Sequence, residues 1–200
     1  MITGIVLAAG ESARMGQPKQ LLPLGAETLL GVVLALVTDA LDDVLVVLGA
    51  SADAIRERVN LHGAHVALNK DYASGQASSL LAGLRVLGSR PTATAAMVLL
   101  GDQPGVRREV IEALCETHRQ RPEVATIVPR YGAQVGNPVL FARAAWPALA
   151  AGLSGDEGAR RLIAHGQPAP LLSLPFPAGW LPAGVDTWED YQMLVARWPS

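Results

Sequence analysis

Short β-type runs alternate with helical patterns along this chain, and the alternation leaves few folds open. A strand followed by a helix and a second strand of the same sheet makes a parallel crossover. The order therefore predicts a three-layer α/β/α fold, a mostly parallel sheet with helices on both faces. Strands read at 2–8, 43–48, 65–69, 95–100, 125–129 and 138–141, the last a candidate for one antiparallel strand. Helical patterns read at 28–38, 52–59, 76–87, 108–119 and 158–165; Leu80, Leu81, Leu84 and Leu87 fall at helical spacing. The Pro- and Gly-rich stretch 166–184 predicts a surface excursion enclosing one strand, 171–174. Thr187-x-x-Asp190 has the form of a capping box, with an acid in place of the usual Glu or Gln, and opens a last helix to Arg197.

Half the residues are hydrophobic but only 4% are aromatic, so the core must be built from Ala, Leu and Val. Two hundred residues suit one domain over 1–200. A net charge of −2 argues against wholesale nucleic-acid binding. Cys115 is the only cysteine, which excludes an internal disulfide and a multi-cysteine metal site. It lies in an apolar helical pattern and reads as a core thiol, a poor nucleophile. The start Met1-Ile2-Thr3-Gly4 lacks a charged leader, and no apolar stretch is long enough to span a bilayer. A soluble cytoplasmic protein without a membrane partner is expected.

In open α/β sheets ligands sit beyond the carboxyl ends of the strands, and four marked segments fall there. The first strand runs into Ala9-Gly10-Glu11-Ser12-Ala13-Arg14-Met15-Gly16-Gln17-Pro18-Lys19. Backbone N–H groups and two cations, Arg14 and Lys19, brought to one place make a phosphate site. It is not a Walker loop, because Lys19 does not follow Gly16 and no Ser or Thr follows it; nor is it G-x-G-x-x-G. The second segment, 69–79, leads from a strand into a helix. Its Ser and Gln groups can bond a ribose or base, or Ser74 or Ser78 can simply cap the helix. The third, Gly101-Asp102-Gln103-Pro104, holds a carboxylate at the end of a buried strand. The fourth is Val185-Asp186-Thr187. Each of these acids is a turn residue or a ligand for Mg²⁺, which takes one or two carboxylates together with substrate phosphates. Together the four predict a triphosphate gripped by the opening loop, Asp102 and Asp186 holding the metal, and Arg14 and Lys19 neutralising phosphate charge. No Ser-His-Asp arrangement is evident, and His62, His65, His118 and His165 have no metal-ligand spacing.

The combination Leu7-Ala8-Ala9-Gly10-x-Ser12-x-Arg14-Met15-Gly16-x-x-Lys19-x-Leu21-Leu22, Gly101-Asp102-Gln103-Pro104 and Gly136-Asn137-Pro138-Val139-x-Phe141 resembles the MobA-like nucleotidyltransferases. Gly155-Asp156-x-Gly158-Ala159-Arg160 and Asp186-Thr187-x-Glu189-Asp190-Tyr191 add to the likeness, which is greatest to the molybdenum cofactor cytidylyltransferases. The resemblance implies a fold of the GT-A type. It also implies transfer of a nucleotidyl group from an NTP to the phosphate of a pterin cofactor, with release of pyrophosphate. It puts Leu7, Ala8, Ala9, Gly10, Gln76 and Ser79 on the nucleotide, Arg14 and Lys19 on its phosphates, Mg²⁺ on Asp102 and Asp186, and Asn137 and Arg160 near the acceptor. A downstream molybdoenzyme or its chaperone is the implied protein partner. Relatives using CTP tend to read Leu-Ala-Ala-Gly and those using GTP Leu-Ala-Gly-Gly, so Ala9 favours CTP. Three positions depart from the family pattern: Gly184 stands where an acid is common, Trp188 where a proline is, and Asn137 where a histidine is frequent.

The acceptor's phosphate monoester has a second pKa of about 6 and is largely dianionic near neutral pH. No general base is needed, and none is evident. The alternatives are a transferase acting on a sugar or other small phosphate, a guanylyltransferase of the same cofactor, and a cofactor carrier or chaperone. A nicotinamide oxidoreductase lacks its dinucleotide fingerprint here.

Overall fold

The computed structural model describes residues 1–198. Strand β1 (Ile2–Ala8) leads through a loop with two single-turn 3-10 helices, Ala13–Met15 and Lys19–Leu21, into a hairpin of β2 (Pro23–Leu24) and β3 (Glu27–Thr28). Next come α1 (Leu29–Ala40), β4 (Asp43–Leu48), α2 (Ala52–Arg58), β5 (His65–Leu68) and α3 (Gln76–Gly88). Then follow β6 (Ala95–Leu100), α4 (Arg108–Gln120), β7 (Thr126–Tyr131), β8 (Gln134–Val135) and β9 (Val139–Ala142). The remaining elements are α5 (Trp146–Gly152), α6 (Arg160–Ala164), β10 (Leu171–Phe176) and α7 (Trp188–Arg197).

The main sheet has the order β10-β7-β9-β6-β1-β4-β5, with β8 paired to β7. β1 is parallel to β4 and β6, β4 to β5, and β10 to β7. β9 runs antiparallel to both β6 and β7. The mostly parallel three-layer fold is thus as the sequence predicts. Successive strand residues face opposite sides. Val6, Ala8, Val44, Val46 and Leu48 pack with Leu30 and Leu34 of α1, Ile55 of α2 and Val110 and Leu114 of α4. Ile5, Leu7, Leu45 and Val47 pack with Leu80 and Leu84 of α3 and Trp146 and Leu149 of α5. Strands covered on both faces carry little polar residue, which is why they read as unbroken apolar runs. Among the described residues no helix is long and apolar enough to cross a membrane.

Some elements differ from expectation. The 166–184 stretch is no mere excursion: its strand continues to Phe176 and forms the sheet edge, in register with β7 from Leu171↔Thr126 to Phe176↔Tyr131. Pro175 is compatible with that strand because an edge position leaves one row of backbone groups unpaired. Helix α5, with Pro147 in its first turn, is absent from the sequence reading; it is short and rich in alanine. The 158–165 helix starts only at Arg160, because Gly158 is held at φ +55°. The capping box of α7 is present in full.

At the end of the sheet where β1 and β4 begin, buried Asp43 accepts hydrogen bonds from Thr3 Oγ1 at 2.7 Å and from Arg90 Nη1 at 2.8 and 2.9 Å. Asp43→Asn is expected to destabilise the fold by about 2–3 kcal/mol in urea unfolding, less than a fully buried pair because Arg90 keeps some solvent contact. Nucleotide affinity should be unchanged, since the cleft lies at the opposite end of the sheet.

Candidate active site

The cleft opens where β1 and β6 end, at the switch point from which the chain winds outward in both directions. Its volume is about 540 Å³. The opening loop is fixed from beneath by Gln20, which is buried and donates from Nε2 to Ala8 O at 3.0 Å and Gly10 O at 3.1 Å. Ser12 adopts φ 57°, a left-handed conformation uncommon outside glycine, and its Oγ accepts from the Lys19 N–H at 3.1 Å. A Cβ added at Gly10 would meet nothing within 4 Å, so a ligand can approach that backbone closely. At Gly101 a Cβ would lie 2.9 Å from Leu30 and 3.1 Å from Leu7 O. The end of β6 therefore sits tightly against β1 and presents Asp102 at the cleft.

Asp102 and Asp186 are far apart in sequence and converge on one ammonium. Lys19 Nζ lies 2.5 Å from Asp102 Oδ2, 3.1 Å from Asp186 Oδ1 and 2.9 Å from Val185 O. Arg14 Nη2 is 3.1 Å from the same Asp186 oxygen. Val185 N–H donates to Asp102 O at 3.0 Å, and buried Val185 packs with Met15, Leu22 and Leu29. Trp188 Nε1 donates to Met15 O at 3.2 Å and Tyr191 Oη to Pro23 O at 2.7 Å, docking α7 on the opening loop. The Trp188 departure thus has a structural role of its own. Burial pushes the Asp186 carboxyl up, but the hydrogen bond and charge of Lys19 and the charge of Arg14 outweigh it and hold the group below its ordinary value.

Asp102 Oδ1 is buried and has no hydrogen-bond partner. With Asp186 nearby, it gives two hard carboxylates, one with an idle oxygen, beside a cleft lined by Arg14 and Lys19. That set fits a small divalent cation completing its shell with substrate phosphates. Among the described residues no group of three or more His, Cys, Asp or Glu side chains could hold a metal without such help. Buried Cys115 sits in the core, its thiol pushed up to about 11 by burial.

Of the residues expected around the nucleotide, Leu7, Ala8, Ala9, Gly10, Arg14, Lys19, Gln76, Ser79 and Asp102 all line the cleft. Neither Ser74 nor Ser78 caps α3 through its side chain. Gly75 occupies the N-cap at φ +100°, and Ser78 Oγ donates back to Gly75 O at 2.7 Å. Asn69, buried, instead clamps the helix start by donating from Nδ2 to Ser78 Oγ at 2.8 Å and Ser79 Oγ at 3.0 Å. Asn137 and Arg160 do not line this cleft. They line a second cavity of about 600 Å³, which shares Leu7, Gln76 and Leu100 with the first. Asn137 Nδ2 donates there to Gln103 Oε1 at 3.1 Å. Sequence reasoning missed Gln20, Asn69 and Gln103 as positioning groups; Asn69 and Gln103 fall inside marked segments, but an uncharged amide gives no sign of the partner it will reach.

Such a loop and acid pair at the switch point of this sheet define a nucleotidyltransferase. The MobA-like NTP transferase domain matches residues 4–170, and the chain belongs to that family. It is 35% identical, over 80% of its length and 79% of the other, to a protein of Paenarthrobacter nicotinovorans named nicotine blue oxidoreductase. It is 33% identical, over 96% of its length and 95% of the other, to the purine catabolism protein PucB of Bacillus subtilis. It also superposes with a TM-score of 0.81 on Rv0371C of Mycobacterium tuberculosis H37Rv, solved in complex with manganese, at 35% identity over 98% of each chain.

Proposed function

We propose that this protein is a Mg²⁺-dependent cytidylyltransferase that moves CMP from CTP to the phosphate of a molybdopterin-type cofactor and releases pyrophosphate. The observation that carries this reading is the convergence of Asp102 and Asp186 on Lys19, with Lys19 and Asp102 lining a cleft that shares Leu7, Gln76 and Leu100 with a second cavity. The relative solved with manganese supports the divalent metal. Asp102 and Asp186 would hold it, and when bound it supplies positive charge to the phosphates.

In this reading the nucleotide lies along the opening loop, with backbone N–H groups, Arg14 and Lys19 on its phosphates and Gln76 and Ser79 toward the nucleoside. Asn137 and Arg160 orient the acceptor in the second cavity. A dianionic acceptor oxygen attacks the α-phosphorus, the bond to the bridging oxygen of the β-phosphate breaks, and pyrophosphate leaves with that electron pair. No proton has to be removed from the nucleophile. The protein's work is positioning and charge stabilisation. The choice of CTP rests on Ala9, which is buried at the cleft wall with its methyl against Gly49.

A thermal-shift screen with CTP, GTP, ATP and UTP, each with Mg²⁺, is expected to give the largest rise in Tm with CTP; at a hundredfold excess over Kd the gain is about 2.7 kcal/mol. GTP alone raising Tm would overturn the choice of base. Pyrophosphate release with molybdopterin and with sugar phosphates then tests the acceptor, and turnover with sugar phosphates only would sink the cofactor reading. Binding without pyrophosphate release from any NTP would make the protein a carrier. The oxidoreductase name of one relative makes NAD(P)H consumption a useful further readout.

A further inference from the structure

Asp102 follows directly on β6, but Asp186 hangs on irregular chain. Between a 3-10 turn, Ala178–Trp180, and α7 the backbone forms neither helix nor strand. Residues 101–107, between β6 and α4, are likewise turn and loop. The two stretches nevertheless run side by side, antiparallel and in one constant register. At the site end Val185 N–H donates to Asp102 O at 3.0 Å. At the next position a Cβ added at Gly184 would lie 4.0 Å from Gln103 Nε2. Further along, a Cβ added at Gly105 would lie 3.9 Å from Pro182 Cα, an ordinary packing distance. At the far end the Arg107 guanidinium lies over the Trp180 ring, its Cζ 4.6 Å from the centroid. Among the described residues the Val185 bond is the only backbone hydrogen bond between the stretches. A two-chain ribbon with so few rungs has little stiffness of its own.

The far end is where this ribbon meets the frame. Trp180 stacks on Phe176 of β10, with ring centroids 6.2 Å apart and planes at 23°, and Phe176 packs on Tyr131 of β7 at 5.9 Å. Arg107 occupies the N-cap position of α4 but makes no side-chain capping bond there. A cation is unfavourable at a helix N-terminus. Among the described residues Arg107 has no carboxylate partner either. The Trp180 ring is the partner its charge does have. That one contact ties β10, through Trp180, to the head of α4.

We propose that Arg107 and Trp180 are positioning residues for the acid pair. The cation on the ring closes the far end of the ribbon and so holds Asp186 opposite Asp102. This rests on the reading of those two acids as the holders of a divalent cation. Such ligands must be held to within about 0.5 Å, and Asp186 lacks the strand that fixes Asp102.

The test compares wild type with Arg107→Met, Arg107→Lys and Trp180→Leu in two measurements. Amide hydrogen exchange at Val185 reads the rung beside the acids, with the amides of Val46 in β4 and Val98 in β6 as controls. Titration with Mn²⁺ alone, followed by electron paramagnetic resonance, reads the acid pair; manganese is the probe because a relative was solved with it. Arg107→Met is expected to raise both the Val185 exchange rate and the Mn²⁺ Kd about three- to fivefold, the scale of one exposed cation–π contact. Trp180→Leu also loses the stack on Phe176 and should raise both about tenfold. Arg107→Lys should stay within about twofold of wild type, because an ammonium also binds a ring face. Arg107 is exposed, so the control amides should not move in its variants. Unchanged Val185 exchange in Arg107→Met and Trp180→Leu, or an equal rise at the control amides, would overturn the proposal. So would an unchanged Mn²⁺ Kd beside faster Val185 exchange, since the ribbon would then not hold the acids. A lysine as poor as methionine would overturn the cation on the ring as the basis of the contact. Failure of wild type to bind Mn²⁺ is different: it removes the metal reading, while exchange at Val185 still decides whether Arg107 and Trp180 fix the ribbon.

Discussion

Asp102→Asn is expected to lower kcat at least a hundredfold, the loss of about 2.7–4 kcal/mol that follows removal of one electrostatic partner of a transition state. The side chain keeps its shape but loses the charge. In the native chain that charge holds Lys19 at 2.5 Å through one oxygen and leaves the other buried and unbonded. An amide there presents a neutral oxygen at best, and at worst an N–H aimed at a cation. Raising Mg²⁺ should not restore the rate, because the defect lies in the donor set and not in its saturation. Steady-state pyrophosphate release across a Mg²⁺ titration measures this. Equal kcat for variant and wild type would remove Asp102 from the reaction. Cys115→Ala is the matching control: the thiol is buried in the core away from the cleft, and turnover should be nearly intact.

Lys19→Ala should cost kcat a similar factor, about 10²–10³, for a different reason. The ammonium links Asp102, Asp186 and the backbone of Val185, so its loss removes the proposed phosphate partner and also leaves two carboxylates without the cation between them. Lys19 is among the groups that hold the Asp186 carboxyl below its ordinary value. A carboxyl so depressed contributes stability that is complete above its unfolded pKa of about 3.9 and is lost as pH falls through the lower folded value. In Lys19→Ala the folded value moves up, so this acid-side loss shrinks or changes sign. Titration of Asp186 by NMR in the two proteins would register the upward move, and an unmoved Asp186 would contradict the contact. Lys19→Arg keeps the charge but not the compact point donor, and should recover only part of the rate.

Much of this arrangement can be read from the chain. The central strands are legible because each is apolar throughout, and such runs need cover on both faces. The glycines and cations of the opening loop, and the acids after β6 and before α7, are legible because glycine and charge at strand ends are visible one residue at a time. Strand β10 was harder: prolines that suit a sheet edge also suit a loop. The support beneath the site is least legible. Gln20, Asn69 and Gln103 act through single amides whose partners lie at distant or unpatterned positions. The convergence of Asp102 with Asp186 is likewise a product of tertiary packing, through Val185 and the α7 contacts of Trp188 and Tyr191.

That docking of α7 on the first loop has a temporal side. The three groups that meet at Lys19 come from residues 102, 185 and 186, so the nascent chain can form most of its sheet well before Asp186 is translated. Ribosome-bound intermediates would therefore hold an incomplete set of these groups, and the site would be complete only when α7 closes over the opening loop.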